Sequence, residues 1–318
     1  RASSYGFDPV TERLRRKVRE LFECDLEIFP LATGTAANSL AIAVMTPPWG
    51  GVFCHEDAHI QRDELGAPEF FSAGAKLIPL PGAMGRLDRG LLAASIDEID
   101  ASRRTAIPAS ISLTQATEAG TLYRLDEMQA IGELARRHSL GVHVDGARFA
   151  NAVAALSVSP AELTWKAGVD VLGFGATKNG ALAAELLVVF RKELAQELTL
   201  RIHRSGHRFS KMRFLSAQFE AYLEGDLWLR NARHANAMAK KLGGELQAAG
   251  VELLRPVEAN VVFARFTPAQ NERLNAAGFL YHEWPIFGPG AVRLVTGFST
   301  QVEDVDTFCR TSEATCAG

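Results

Sequence analysis

Two polar side chains stand directly after two apolar runs in the middle of this chain, and their types suggest covalent chemistry. Asp145 ends the run at residues 142–144, and Lys178 follows the run at residues 169–174, with an Ala-rich helical segment between them. Strand, helix and strand in that order outline a βαβ unit spanning residues 141–190. Open α/β sheets bind ligands beyond the carboxyl ends of their strands, so the two groups can face one crevice. A lysine amine bonds to an aldehyde, and a carboxylate keeps a pyridine nitrogen protonated; that is the pair pyridoxal 5′-phosphate requires. Read singly, Asp145 is also a cap for a helix starting near Ala147, and Lys178 is a solvated lysine.

A second feature suits the same group. Residues 28–31 read as a short strand, and Thr33-Gly34-Thr35 leads straight into an Ala-rich helix at 36–45 that Pro47 and Pro48 stop. A glycine turn at a helix start presents unbonded N–H groups and the positive end of the helix dipole, so Gly34 and Thr35 suit a phosphate. The plain reading of such a turn is a helix cap. Thr177, beside the lysine, is a further phosphate candidate. Arg148, just after Asp145, can reach a substrate carboxylate or the cofactor's phenolic oxygen. A guanidinium grips a carboxylate better than an ammonium does, because its fork of N–H groups matches two oxygens.

His143-Val144-Asp145-Gly146-Ala147-Arg148 followed by Thr177-Lys178-Asn179-Gly180 resembles the low-specificity L-threonine aldolases, within the aromatic amino acid β-eliminating lyase group of fold-type I enzymes. The likeness runs over nearly the whole chain, through Thr33-Gly34-Thr35-Ala36-Ala37-Asn38, Asp57-Ala58-His59, Gly66-Ala67-Pro68-Glu69-Phe70-Phe71 and Ser210-Lys211-Met212-Arg213-Phe214. It implies a large α/β domain built on a mainly parallel seven-stranded sheet, and a smaller α+β C-terminal domain. It implies retro-aldol cleavage of L-threonine, L-allo-threonine and related substrates such as phenylserine to glycine and an aldehyde. A homodimer or homotetramer with its site at a subunit interface is also implied.

By the same resemblance Lys178 bonds the cofactor, Asp145 faces its ring nitrogen and His59 lies on its ring. Arg293, in Val292-Arg293-Leu294-Val295-Thr296, holds the substrate carboxylate, and Arg213 binds phosphate across a subunit boundary. Tyr5 is counted with the substrate-binding residues, and His55 is left structural. There are departures. Phe7 stands where the aldolases usually have an acid, and Gln115-Ala116-Thr117 stands where many have Asn-Thr-His, so the β-hydroxyl proton falls to His59 or water. Because the chain starts at Arg1, the arm that carries a Ser-Asp-Asn element in the aldolases is expected to be missing upstream.

The elements that must position these residues follow from periodicity. Helices are expected at 10–22, 88–99 and 125–138, the last stopped by Gly141, with strands at 51–54, 76–80 and 106–113 and a loop at 66–75. Beyond residue 190 the pattern is helical to 200, basic to 213 and helical again from 214 to 249. Strands at 261–266, 279–282 and 291–295 with helices at 268–277 and 302–310 complete a small α+β unit. The expected division is 1–212, a large cofactor-binding domain, and 213–318.

Composition narrows the function classes. A chain of 318 residues, 47% hydrophobic and 22% charged, with a net charge of −3, is an ordinary globular chain with room for two domains. Lysine and arginine (34) nearly balance aspartate and glutamate (37), which gives no basic excess for nucleic acid. Cys24, Cys54, Cys309 and Cys316 show no paired spacing, so neither a metal site nor a disulfide framework is expected, and reduced cytoplasm is the default. No apolar run is long enough for a membrane helix. Within the cofactor class, a β-eliminating lyase, a racemase or a transaminase stays open, since the reaction depends on which Cα bond is aligned. A nucleotide-binding module fails on spacing, because Gly173-Phe174-Gly175-Ala176-Thr177-Lys178 is not a phosphate loop. A chain that binds the cofactor without turning over is the remaining alternative.

Overall fold

The computed structural model describes residues 3–313; Cys316 and the first two residues of the loose end expected at the N-terminus lie outside them. The first helix, Pro9–Phe22 (α1), starts where Asp8 Oδ1 accepts from Val10 N (3.1 Å) and Thr11 N (3.0 Å), with proline pre-set at the first turn. Its buried stripe is Leu14, Val18 and Phe22, spaced by one helical turn.

Seven strands form the main sheet: Glu27–Leu31 (β1), Gly50–His55 (β2), Lys76–Leu80 (β3), Ile107–Thr114 (β4), Gly141–Gly146 (β5), Val171–Gly175 (β6) and Glu185–Val189 (β7). Their order is β1-β7-β6-β5-β4-β2-β3. The stretch from β6 to β3 is parallel, and only β7 runs against its neighbours. This is the mainly parallel sheet the resemblance implied. Strands β5, β6 and β7 are buried along their whole length, as expected of a sheet covered on both faces. Periodicity alone missed β7, because a short run with no polar alternation carries no period.

Helices Gly34–Met45 (α2), His59–Arg62 (α3), Ala67–Phe71 (α4), Arg89–Ser102 (α5), Leu125–Arg137 (α6), Phe149–Leu156 (α7) and Ala195–Arg204 (α8) connect and cover the strands. Part of the loop expected at 66–75 is thus helical, nucleated by Pro68 in its first turn. Helix α2 is buried from Ala36 to Met45, and its small side chains let it pass close under β5, β6 and β7. Gly141 is not the stop of α6. Ser139, at φ +56°, ends that segment, and Gly141 opens β5, where a Cβ would lie 2.9 Å from Met45 Sδ of α2.

Two further helices, Arg213–Tyr222 (α9) and Leu227–Ala248 (α10), are separated at Gly225, which has φ +52°. They complete an aromatic cluster centred on Phe174 of β6. Its ring lies 5.4 Å from Phe149, 5.5 Å from Phe219 and 5.5 Å from Trp228, centroid to centroid. Edge-on pairs of this kind add about 0.5–1.5 kcal/mol each beyond area burial, so the end of β6 is firmly seated.

The second sheet, ordered β10-β11-β9-β8, is antiparallel and built from Glu252–Leu253 (β8), Val261–Arg265 (β9), His282–Glu283 (β10) and Ala291–Val295 (β11). Helices Pro268–Ala276 (α11) and Val302–Glu313 (α12) cover it. Phe219, Tyr222, Trp228 and Ala232 belong to the larger core, and the second core takes over at Met238. The division proposed at residues 212 and 213 therefore falls at the start of α9, ahead of the point inside α10 where the packing changes cores. Among the described residues no helix is long and apolar enough to cross a membrane.

Candidate active site

Strand β5 delivers Asp145 to the carboxyl edge of the sheet. The backbone can cross there because a Cβ on Gly146 would meet the Gly173 carbonyl oxygen at 2.5 Å. Ala147 N donates to Asp145 Oδ1 (3.0 Å) and Asn38 Nδ2, from α2, donates to Oδ2 (2.9 Å). Asp145 therefore does cap the turn after it, and it does more. Burial pushes its carboxyl up, but Lys178, the Ala147 amide, His143 and Asn38 together outweigh burial and hold it below the usual aspartate value. His143, paired with Ser112 Oγ (2.9 Å), is pushed down to about 4 by burial, so its ring is neutral at pH 7.

Asn38 gives its other N–H to Glu64 Oε1 (2.8 Å), and His59 Nδ1–H donates to the same oxygen (2.8 Å). The Glu64 side chain is wholly buried, and burial raises its pKa against the pull of His59 and Asn38. The hydrogen bond to Glu64 leads the causes that raise His59. Donor atoms of His59, Glu64 and Asp145 lie within 4.8 Å of one another, a spacing that a metal ion could share. The Asn38 amide already bridges the two carboxylates, so the cluster closes on itself as a hydrogen-bond network.

Lys178 rides on the single turn Thr177–Asn179, directly after β6. Asn179 pins that turn from below, donating to Tyr222 Oη (2.6 Å) and Trp228 O (2.9 Å), while its own carbonyl accepts from Asn231 Nδ2 (2.8 Å). Thr177 closes the other side: its hydroxyl accepts from Ala184 N (3.1 Å) and donates to Ala184 O (3.3 Å). The lysine side chain is solvent-accessible, yet burial by its surroundings and the charge of Arg148 pull its ammonium down, against Asp145, Glu118 and Glu185.

One guanidinium group, Arg148, faces this lysine, and Arg293 lies beside Arg148. Burial pushes Arg148 down to about 10, with Arg293 adding to the effect and Glu118 and Asp145 opposing it. Nε of Arg148 and Nε of Arg293 are both buried without a hydrogen-bond partner, and neither residue has an ion pair among the described residues. Arg293 lies over the Trp284 ring at 5.1 Å, held by stacking. Like charges held close without an acid between them make a site for an anion.

The remaining expected residues are spread around this cluster. Gly34 and Thr35 open α2, where Thr33 Oγ1 accepts from Ala36 N (3.2 Å), and a Cβ on Gly34 would meet nothing within 4 Å. His55 is structural: Nε2–H donates to Gly82 O (3.0 Å) and Nδ1 accepts from Asp57 N (3.0 Å). Thr117 is buried, with its hydroxyl bonded to Thr121 Oγ1 (2.8 Å), and Gln115 exchanges two hydrogen bonds with the Tyr123 backbone (2.9 and 3.0 Å). Tyr5 and Arg213 are not brought to the cluster. The Tyr5 ring sits near Arg208 in a pocket with Ile28 and Phe29 of β1, and the Arg213 guanidinium lies 5.5 Å from the Phe214 ring.

Four acting residues escaped the sequence reading. Asn38 was quoted only as part of a motif, Glu64 reads as one more charge in Gln61-Arg62-Asp63-Glu64, and Glu118 and Glu185 flank turns without a motif of their own. The site fits pyridoxal phosphate on its own chemistry: an ionised acid, an accessible amine with a lowered pKa, an open helix N-terminus and two half-buried guanidinium groups whose Nε atoms have no partner.

Residues 2–268 match the family model described as beta-eliminating lyase. A low specificity L-threonine aldolase of Pseudomonas aeruginosa is 44% identical over 312 residues, 96% of this chain and 88% of the relative. Another, of a Pseudomonas species, is 43% identical over 302 residues, 94% of this chain and 86% of the relative. An alanine racemase of Cochliobolus carbonum is 26% identical over 266 residues, 80% of this chain and 66% of the relative. Among solved structures, a threonine aldolase of Leishmania major superposes with a TM-score of 0.92 at 26% identity, covering 98% of this chain and 91% of that one.

Proposed function

Because this chain belongs to the beta-eliminating lyase family, we propose from its site that it is a pyridoxal-phosphate-dependent aldehyde-lyase. It cleaves L-threonine, L-allo-threonine and related L-β-hydroxy-α-amino acids, phenylserine included, into glycine and an aldehyde. The observation that carries this reading is an ionised Asp145 and an amine-bearing Lys178 at consecutive strand ends, with unpaired Arg148 and Arg293 beside them.

Pyridoxal phosphate supplies an aldehyde carbon that bonds to amines and a protonated ring that takes up an electron pair from Cα. Asp145 would keep the proton at the ring nitrogen, because Lys178, Ala147, His143 and Asn38 hold it as an anion. Lys178 would offer its amine to the aldehyde carbon, and the lowered ammonium pKa puts more of that amine in the reactive form. Arg293 and Arg148 would grip the substrate carboxylate and so orient Cα. Thr117 is committed to its own turn, so the β-hydroxyl proton passes to the half-exposed His59 or to a water beside it. The N–H groups of Gly34 and Thr35 hold the phosphate, with Thr177 next to it.

Arg213 and Tyr5 lie outside this cluster, and we assign them to the site of a second copy in a homodimer or homotetramer. Exposed apolar side chains at Leu65, Leu182 and Phe214 support such an assembly. The free cysteines Cys24, Cys54 and Cys309 suit a reducing cytoplasm.

The test is the product. Incubation with L-threonine, L-allo-threonine or phenylserine should yield glycine and aldehyde, with a visible absorption band that borohydride abolishes and Lys178→Ala lacks. A colourless protein that cannot be reconstituted would sink the cofactor assignment. Pyruvate and ammonia would favour elimination, and racemisation without cleavage would favour the activity named for the Cochliobolus relative.

A further inference from the structure

Glu185 opens β7, the one strand running against its neighbours, so its side chain enters at the sheet edge where the parallel strands end. It pairs in register with Gly175, the last residue of β6. A Cβ on Gly175 would lie 3.0 Å from Glu185 Oε2 and 2.8 Å from Ala147 Cα, so the missing side chain makes the room in which the carboxyl group sits. Ala176 N donates to Ala184 O (3.1 Å), and Thr177 bonds Ala184 twice; Lys178 and Glu185 therefore belong to one closed turn. Glu185 is only 7% exposed, with Thr177 beside its carboxyl group and no ion pair among the described residues. A carboxyl group buried in that way needs a counter-charge or a proton.

We propose that Glu185 is the proton partner of Lys178. It takes the ammonium proton through an intervening water, since the two groups make no direct ion pair, when the amine is required for bonding to an aldehyde carbon, and returns it by the same route when the amine is released. The transfer balances: ammonium and carboxylate become amine and carboxylic acid, with no other reactant. This rests on the reading of Lys178 as the cofactor lysine. The charged groups around the pair are Asp145 from β5, Arg148 from the turn after it and Glu118 from the turn after β4, with the Tyr222 hydroxyl of α9 also within the field of Glu185. Burial pushes Glu185 up to about 7, with Asp145 adding to it and Thr177 and Lys178 opposing, while Lys178 is drawn down toward it. A raised carboxyl and a lowered ammonium both reduce the cost of moving a proton between the two groups. Asp145 is less suited to this role, because Lys178, Ala147, His143 and Asn38 together hold its carboxyl below the usual aspartate value.

Infrared difference spectra recorded through a pH titration test the proposal. In the native protein a protonated-carboxyl C=O band should vanish as pH rises through neutrality. Glu185→Gln should lack it, Glu185→Asp should retain it, and Lys178→Ala should keep it to higher pH because the neighbouring cation is gone. The rate at which apoprotein takes up pyridoxal phosphate should lose its dependence on pH near neutrality in Glu185→Gln and recover it in Glu185→Asp. A band indifferent to Glu185→Gln or to Lys178→Ala overturns the proposal, as does a uniform slowing of uptake at every pH, which would mark a structural role. The infrared readout needs no turnover, so a protein that makes pyruvate could still pass it. A yellow Lys178→Ala protein would instead break the cofactor reading.

Discussion

The floor and the wall of the cleft are built on opposite principles. On the floor, Asn38, Asp145, Glu64 and His59 are tied to one another by hydrogen bonds of 2.8–2.9 Å, with Glu64 Oε2 buried and left without a partner. On the wall, Arg148 and Arg293 hold buried guanidinium nitrogens with no partner. In the proposed reaction the floor would perform one task throughout the cycle, keeping a ring nitrogen protonated, and its bonds are part of the fold. The wall would take and give back a carboxylate each turnover, which suits side chains positioned by packing and left unpaired. Folding stabilises the first region and tolerates the second.

That contrast can be broken by substitution. The largest effect is expected on the wall: Arg293→Met should lower kcat/KM by about 10²- to 10³-fold, carried mostly by KM, because a desolvated charge pair is lost. The same change should leave the unfolding midpoint in denaturant unchanged or raise it, since an unpaired buried cation is removed. A fall in stability with unaltered KM would refute the division.

An effect of the next size concerns pH. Glu185 has a raised pKa in the folded protein, so its contribution is fully present below its unfolded value and is lost as pH rises to about 7. Over that window the native protein should lose at most about 3 kcal/mol of stability relative to Glu185→Gln, read from denaturant unfolding at a series of pH values. Parallel curves for the two proteins would contradict it.

The smallest of the three belongs to the floor. Asn38→Ala should cost about 2 kcal/mol of apoprotein stability, because two buried carboxylates lose a shared donor, and should also weaken cofactor binding. Unchanged stability there would mean the network is not part of the fold.

Much of the site was legible before the fold was known. Asp145 and Arg148 from one stretch, and Lys178 and Arg293 from two others, are brought together around Arg148 beyond the carboxyl edge of the sheet, where a ligand is expected. What the residues could not disclose was burial. Glu64 follows Gln61, Arg62 and Asp63 and reads as a solvated charge until α2 brings Asn38 over it. Glu185 opens an apolar run whose strand was itself unread, and its position depends on the absent side chain of Gly175. Gly141 failed for a related reason, since its smallness serves a helix far away in sequence rather than the helix just before it.

The closing edge of the sheet has a consequence for synthesis. Strand β1 pairs with β7, and α1 rests on α9 through Arg13 with Glu220 and Thr11 with Ser216. A chain still emerging from the ribosome therefore carries α1 without α9, its partner in these contacts, until residue 220 is available. Helix α1, which precedes the other described helices, is therefore among the last of them to be locked.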